Sequence, residues 1–498
     1  MASGGRNPGR SGLARLGGWL LRLALYAAGA VALVVLVRAL DSLRFPDLQP
    51  WHRVHLDREF DAGDADNVAS VEAYLALEDR VFEELADRIE RDVPEQEGGR
   101  YSRFAPASAS HPDRFGRNWN RSFELTPPTV RGGALLLHGL TDSPYSLRSV
   151  AALLVEQGFY TLALRLPGHG THPGGLVDAR YPDWQAVARL GARHVRSRIG
   201  DSAPFVVVGY SMGGALAIDY VLEALAAPGL PVPDRVVLLS PAVGVSAAGV
   251  VGSWHKVLSF LPAFEKFRWL EVLPEYDPFK YNSFPKNAGR QMYLLTRVVA
   301  EALARARDAG RLVRFPPTLT FQSVADGTVS TRAVLDPFYA SLGSPRHALV
   351  LFDVNRTAQM NGFLDPNCHA IVSELEAKPP PGYRLTLLTN ARPESREVVA
   401  RELGARNGLP PVSVTNLSWP PEVYSLSHVA LPFRSDDPLY GVDPVGDSFR
   451  GIRIGAVTPR GERDLLTVSM SQLMRLRYNP FHPYLAKRIR SWLAPERP

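Results

Sequence analysis

The run FVVVGYSMGGALAIDYV, residues 205–221, sets Ser211 between Gly209 and Gly213, where an apolar β-like stretch gives way to a helix-like one. That setting suits a nucleophilic serine: the glycines permit a sharp turn with close backbone approach, and the turn lifts the hydroxyl out at the start of a helix. A hydroxyl is a weak nucleophile at neutral pH, so a base must stand beside it and a third group must orient the base. TFQSVADGTVS puts Asp326 just past a β-rich run, with Gly327 allowing a tight turn. SLSHVALPF puts His428 in a Ser- and Pro-flanked loop after the extended VSVTNLSW, completing the order Ser, Asp, His. His369 in PNCHA is the rival base, but it begins the helix-like AIVSELEAK, where a lone histidine more often caps or sits on the surface. Acyl transfer also needs N–H donors for the developing oxyanion, one after the nucleophile and one from the loop after an earlier strand. Met212 and Leu140 fill those positions, Leu140 in LLLHGLTDSPYSL where Gly139 lets the backbone turn. His138 beside them reads as a residue that orients the loop rather than as a base.

From residue 121 onward short β-rich runs alternate with helical segments. The runs are ALLLH (134–138), TLALRL (161–166), FVVVGY (205–210), RVVLLS (235–240) and LTFQSV (319–324), with helical patterns at 145–157, 183–199 and 211–225. Near-continuous apolar strands imply burial on both faces, so the expected class is α/β, a doubly wound and mostly parallel sheet with right-handed crossovers. Residues 243–315 break the rhythm with the aromatic WHKVLSFLPAFEKFRWLEVLPEY and the helical QMYLLTRVVAEALARARDAG, and read as an inserted cap or lid. The core is then expected in two parts, 121–242 and 316–498.

GYSMGG, HGLTDSPYSL, LRLPGHGTHP with the downstream Tyr181-Pro182-Asp183-Trp184, and the VADGTV turn together resemble the bacterial carboxylesterase and monoglyceride-lipase group of α/β-hydrolases, over roughly residues 134–329. The resemblance implies an eight-stranded sheet, a lid between the sixth and seventh strands, and hydrolysis of small-molecule or lipid esters with no cofactor or metal. Carried over by position, it implies Ser211, Asp326 and His428 as a triad, with Leu140 and Met212 as the oxyanion hole. The sequence departs from the group on the C-terminal side, where ALVLFDV ends at Val354 and His428 follows 74 residues later (428 − 354). YRLTLLTN and PPVSVTNLS, separated by PESREVVARELGAR, which reads as a helix, are expected to form an α/β insertion at about 355–420. An acyltransferase using the same acyl-enzyme, and a catalytically silent binding protein of the same fold, are the alternative functions; the conjunction of Ser, Asp, His and oxyanion glycines weighs against the second.

The chain has 498 residues, 45% hydrophobic and 21% charged, a composition that folds. Its net charge of +6 is scattered, with no long Lys/Arg block, so no nucleic-acid partner is expected. Cys368 is the only cysteine, which excludes an intramolecular disulfide and is expected to be a buried, inert thiol. Residues 16–37, LGGWLLRLALYAAGAVALVVLV, carry one charge, Arg22. Their length suits an N-terminal transmembrane helix, with the anchor over 16–40. A cleaved signal peptide competes, but the apolar run is long and lacks a clean A-x-A exit. The basic tail 1–15, with Arg6, Arg10 and Arg15, favours a cytoplasmic N-terminus and a periplasmic or otherwise extracytoplasmic catalytic body. Segment 41–120 is expected to be helical, with Val68, Val71, Tyr74, Leu75, Leu77, Val81, Phe82, Leu85 and Ile89 roughly on one face, packing on the body or forming a stalk.

Overall fold

The computed structural model describes residues 18–30, 33, 46–92, 101–244, 262–357, 363–364, 367–380, 382–404, 411–443, 451–456 and 468–494. Its strands are β1 Phe123–Leu125, β2 Gly132–Leu137, β3 Phe159–Ala163, β4 Phe205–Tyr210, β5 Arg235–Leu239 and, in a separate two-stranded ribbon, β6 Trp269–Glu271 and β7 Phe284–Pro285. They continue with β8 Thr318–Ser323, β9 Ala348–Phe352, β10 Arg384–Asn390, β11 Glu397–Leu403 and β12 Val412–Ser418. Ten of them form one sheet in the order β1-β3-β2-β4-β5-β8-β9-β10-β11-β12. From β3 to β10 every pairing is parallel; β1 joins antiparallel at one edge, and β11 and β12 close the other as an antiparallel meander.

The main helices are α1 Val71–Arg88, α2 Arg148–Glu156, α3 Tyr181–Ile199, α4 Met212–Ala226, α5 Lys286–Asp308, α6 Asn367–Ala377 and α7 His482–Leu493. They cover both faces, and the period of two along each strand divides the core between them. Leu135, Leu137 and Val207 point into one cluster with side chains of α1, α3, α4 and α5. Ala134, Leu136, Val206 and Val208 point into the other, against α2 and α7. That two-sided covering is why β2, β4, β8 and β9 are buried along their whole length.

Of the two expectations for the N-terminal segment, packing on the body holds. Ser70 caps α1 by accepting the Ala73 N–H, and the helix docks through a buried polar knot. Arg165 grips Glu59 with two hydrogen bonds of 2.8 and 2.9 Å and reaches Glu78 of α1 at 3.3 Å, while the Tyr74 hydroxyl donates to the Arg165 carbonyl. Residues 18–30 are helical and exposed, and the rest of the expected anchor, like the tail before it, lies outside the described residues apart from Leu33. Among the described residues no helix is long and apolar enough to cross a membrane. The side chain of Cys368 and residues 245–261 of the expected lid also lie outside the described residues.

Two expectations are corrected. The sheet has ten strands, not eight, because the insertion extends its edge. The stretch PESREVVARELGAR is not a helix: its centre is β11, paired antiparallel with β10 from Leu385↔Leu403 to Asn390↔Val398. The helix-forming Ala, Arg, Glu and Leu gave the wrong signal, and burial of Val398, Val399 and Ala400 at the sheet edge outweighed it. A register shift between Val398 and Val399, opposite Asn416 at φ 58°, bends the last strand.

Candidate active site

The sharp turn at Ser211 follows from sterics. Gly209 and Gly213 cannot carry side chains: a Cβ on Gly209 would lie 2.3 Å from the Gly213 carbonyl oxygen, and one on Gly213 would lie 2.0 Å from that of Leu137. With the chain so pinched between β4 and α4, Ser211 takes φ 53° and ψ −115°, a conformation that a residue with a Cβ rarely adopts. The surroundings hold it there: the Ser211 N–H donates to the Leu239 carbonyl at 2.9 Å, and its carbonyl accepts from Gly214 at 2.9 Å and Ala242 at 3.0 Å.

The loop after β2 lies alongside, since a Cβ on Gly139 would sit 3.3 Å from the Ser211 Cβ. The Leu140 N–H has no hydrogen-bond acceptor among the described residues, and the Met212 N–H belongs to the first turn of α4, whose donors have no partner within the helix. His138 braces this loop. Its Nε2 accepts the Leu166 N–H at 3.0 Å, so Nδ1 carries the proton and donates to the Gly139 carbonyl at 2.9 Å. Burial, helped by His169, pushes its pKa down to about 3, so it stays neutral and orients the loop as expected.

Asp326, in the turn after β8, accepts the Thr328 and Val329 N–H groups on Oδ1, each at 2.9 Å, and the Ser240 hydroxyl on Oδ2 at 2.9 Å. Burial works against its charge, but the hydrogen bond and charge of His428, with those two N–H groups, hold the carboxyl below the usual range. His428 is buried, with Nδ1 3.4 Å from Asp326 Oδ1. The returning chain is tied to the end of β9, where Asn355 donates to the Tyr424 carbonyl at 2.8 Å and the Val423 carbonyl at 2.9 Å, and the Ser427 hydroxyl donates to the Leu476 carbonyl at 2.7 Å. Ser211 Oγ has no hydrogen-bond partner among the described residues, so Asp326 and His428 are in contact while His428 and Ser211 are not joined by a hydrogen bond. Such a pair often tightens only around substrate. His369 lies in α6 with its ring against Arg356, which pairs with Asp353 at 2.7 Å, and it makes no contact with Asp326.

Several residues near the site carried no sequence signal. Lys280, from the segment between β5 and β8, pairs with Asp142 of the β2 loop at 2.9 Å. Arg475 Nη2 lies 3.1 Å from His428 Nδ1 and 3.3 Å from Thr328 Oγ1. The only hint was the alternation in MRLRYNPF, which does not point to a site. Among the described residues no group of three or more His, Cys, Asp or Glu side chains could hold a metal ion.

Residues 128–355 match the family described as serine aminopeptidase, S33. The thermostable monoacylglycerol lipase of Bacillus sp. (strain H-257) is 35% identical over 91 residues, covering 18% of this chain and 35% of that protein. The carboxylesterase of Bacillus subtilis (strain 168) is 25% identical over 212 residues, covering 42% of this chain and 78% of that protein. The match thus spans about a third of the lipase's length and more than three quarters of the esterase's. Among solved structures, the monoacylglycerol lipase of Paleococcus ferrophilus is 18% identical with a TM-score of 0.34, covering 51% of this chain and 97% of that one. By its parallel sheet and the match over residues 128–355, this chain has an α/β-hydrolase fold, with a core similar to the bacterial carboxylesterase and monoglyceride-lipase group.

Proposed function

We propose that the protein hydrolyses carboxylic esters through an acyl-enzyme on Ser211. The observation that carries this reading is the strained Ser211 backbone, held at φ 53° between a buried strand and a helix by glycines that sterics require. His428 takes the Ser211 proton as the hydroxyl attacks the acyl carbonyl, the Leu140 and Met212 N–H groups hold the oxyanion, and Asp326 orients the imidazolium. His428 then protonates the leaving alcohol, and water repeats the cycle on the acyl-enzyme. The names of the two Bacillus relatives, a monoacylglycerol lipase and a carboxylesterase, support an ester as substrate. The family description names an aminopeptidase, but guanidinium groups beside the site disfavour a substrate with a free ammonium.

The segment between β5 and β8 serves as the lid in this reading. Its Phe279 stacks on Tyr145 of the β2–α2 connection at 4.2 Å, and α5 packs against α4. The divisions 121–242, 243–315 and 316–498 follow as core, lid and core. The N-terminal segment anchors the protein in a membrane with the catalytic body on the extracytoplasmic side; support comes from the apolar run 16–37 and from the exposure of Trp19, Leu20, Leu21, Leu23, Leu25 and Tyr26. The test of the chemistry is Ser211→Ala, which removes only the nucleophilic oxygen. It is expected to abolish p-nitrophenyl ester hydrolysis and fluorophosphonate labelling while the thermal melt is unchanged, and substantial residual turnover would sink the reading.

A further inference from the structure

The stretch before α7 sets Arg475 against His428 and puts Arg477 within charge range of Arg475. Arg475 leans on His428 Nδ1 at 3.1 Å and Thr328 Oγ1 at 3.3 Å. Arg477 donates from Nη2 to the Gln472 carbonyl at 3.2 Å and also meets the Tyr276 hydroxyl, while its Nε is buried with no hydrogen-bond partner among the described residues. Neither forms a salt bridge with a described carboxylate. The acidic groups whose charge reaches them are engaged elsewhere. Asp142 is paired with Lys280 at 2.9 Å, and Asp326 with His428, Ser240 and two backbone N–H groups. Asp277 accepts the Tyr440 hydroxyl at 2.8 Å and the Phe279 N–H at 3.0 Å. Burial lowers the pKa of Arg475, and the charge of Arg477 pushes the same way, against Tyr210, Asp326 and Asp142.

Two half-buried like charges within range of each other are costly unless an anion offsets them. Guanidinium is the group whose planar fork best matches a carboxylate or phosphate. We propose that Arg475 and Arg477 bind an anionic group on the substrate, so that the esters this protein cleaves carry a carboxylate or phosphate a few bonds from the scissile carbonyl. The inference rests on the ester-hydrolase reading and names its substrate class. It also gives Arg475 a second consequence. A guanidinium donating to His428 Nδ1 holds the proton on Nε2, and an anion that draws the arginine aside lets Nδ1 take the proton and donate it to Asp326, the tautomer a base requires.

The full-length protein is assayed with p-nitrophenyl hexanoate, with p-nitrophenyl hemiadipate, which places a carboxylate on the acyl side, and with 3-carboxy-4-nitrophenyl hexanoate, which places one on the alcohol side. At least one anionic ester is expected to exceed the neutral one in kcat/KM by about tenfold or more at low salt. Added salt should narrow the gap, Arg477→Gln should bring the ratio close to one, and Arg477→Lys should keep part of it. Which anionic ester is preferred tells the side on which the charge lies. A neutral ester preferred over both, or an unchanged ratio in Arg477→Gln, overturns the proposal while leaving the hydrolase reading intact. Failure of fluorophosphonate to label the wild-type protein defeats the hydrolase reading and this one with it. Should Arg477→Gln lose its cooperative melt, competition on the wild type decides: adipate must inhibit hexanoate ester hydrolysis competitively where 1,6-hexanediol does not, and equal inhibition by the two overturns the proposal.

Discussion

His428 and His369 are both compatible with chain order, yet their surroundings differ. His428 faces Asp326 at 3.4 Å in a loop held by Asn355 and Ser427, whereas His369 hydrogen-bonds Arg356 and no other side chain among the described residues. His428→Ala is therefore expected to lower kcat/KM by several orders of magnitude, and His369→Ala by less than about tenfold. A large loss in the second variant with a small one in the first would reverse the assignment. The candidate site was legible where local backbone demands select the residue type. Only glycine fits at 209 and 213, and Asp326 closely follows the fully buried β8. Arg475 and Arg477 were not legible, because their meaning comes from the neighbours folding brings to them and not from any spacing in MRLRYNPF.

At the level of elements, α1 and the segment before it belong to the catalytic body. Val71 and Tyr74 are buried in the main core cluster, and Glu59 and Glu78 compensate the buried Arg165 of the LRLPGHG loop. Removing the partners of a buried charge costs about 3–5 kcal/mol, and the apolar face of α1 would be lost with them. Three chain lengths test this together with the membrane proposal. The full-length chain should sediment with membranes, a chain starting at residue 46 should stay in solution and keep its esterase activity, and a chain starting at residue 101 should fail to fold. A soluble full-length protein would remove the anchor, and an active chain from residue 101 would remove the structural role of α1. Element types followed the apolar period wherever a strand or helix is long and covered, as in β4 and α5. They failed at β11, where only pairing with β10 and β12 decides between a helix-forming composition and a strand.

Across the whole molecule, six buried histidines make the fold sensitive to acid. Burial pushes His52, His138 and His169 down to about 3, and His172, His347 and His482 down to about 4. In the unfolded chain each returns to about 6.5, so below that pH the unfolded state binds protons that the native state refuses. Stability is thus fully present above about pH 6.5 and falls as the pH drops towards 4, by up to about 1.4 kcal/mol per pH unit for each histidine. Urea midpoints at pH 7.5 and pH 5 check this, and equal midpoints would contradict it. The detour of the chain through β10, β11 and β12 before His428 has a consequence of another kind. A ribosome releases Ser211 and the oxyanion loop first, and Asp326 well before the three edge strands that must form for the base to dock, so closure of that long loop comes late. In the proposed mechanism an unfinished chain would hold Ser211 without its proton acceptor, and hydrolysis would begin only when synthesis and folding are both complete.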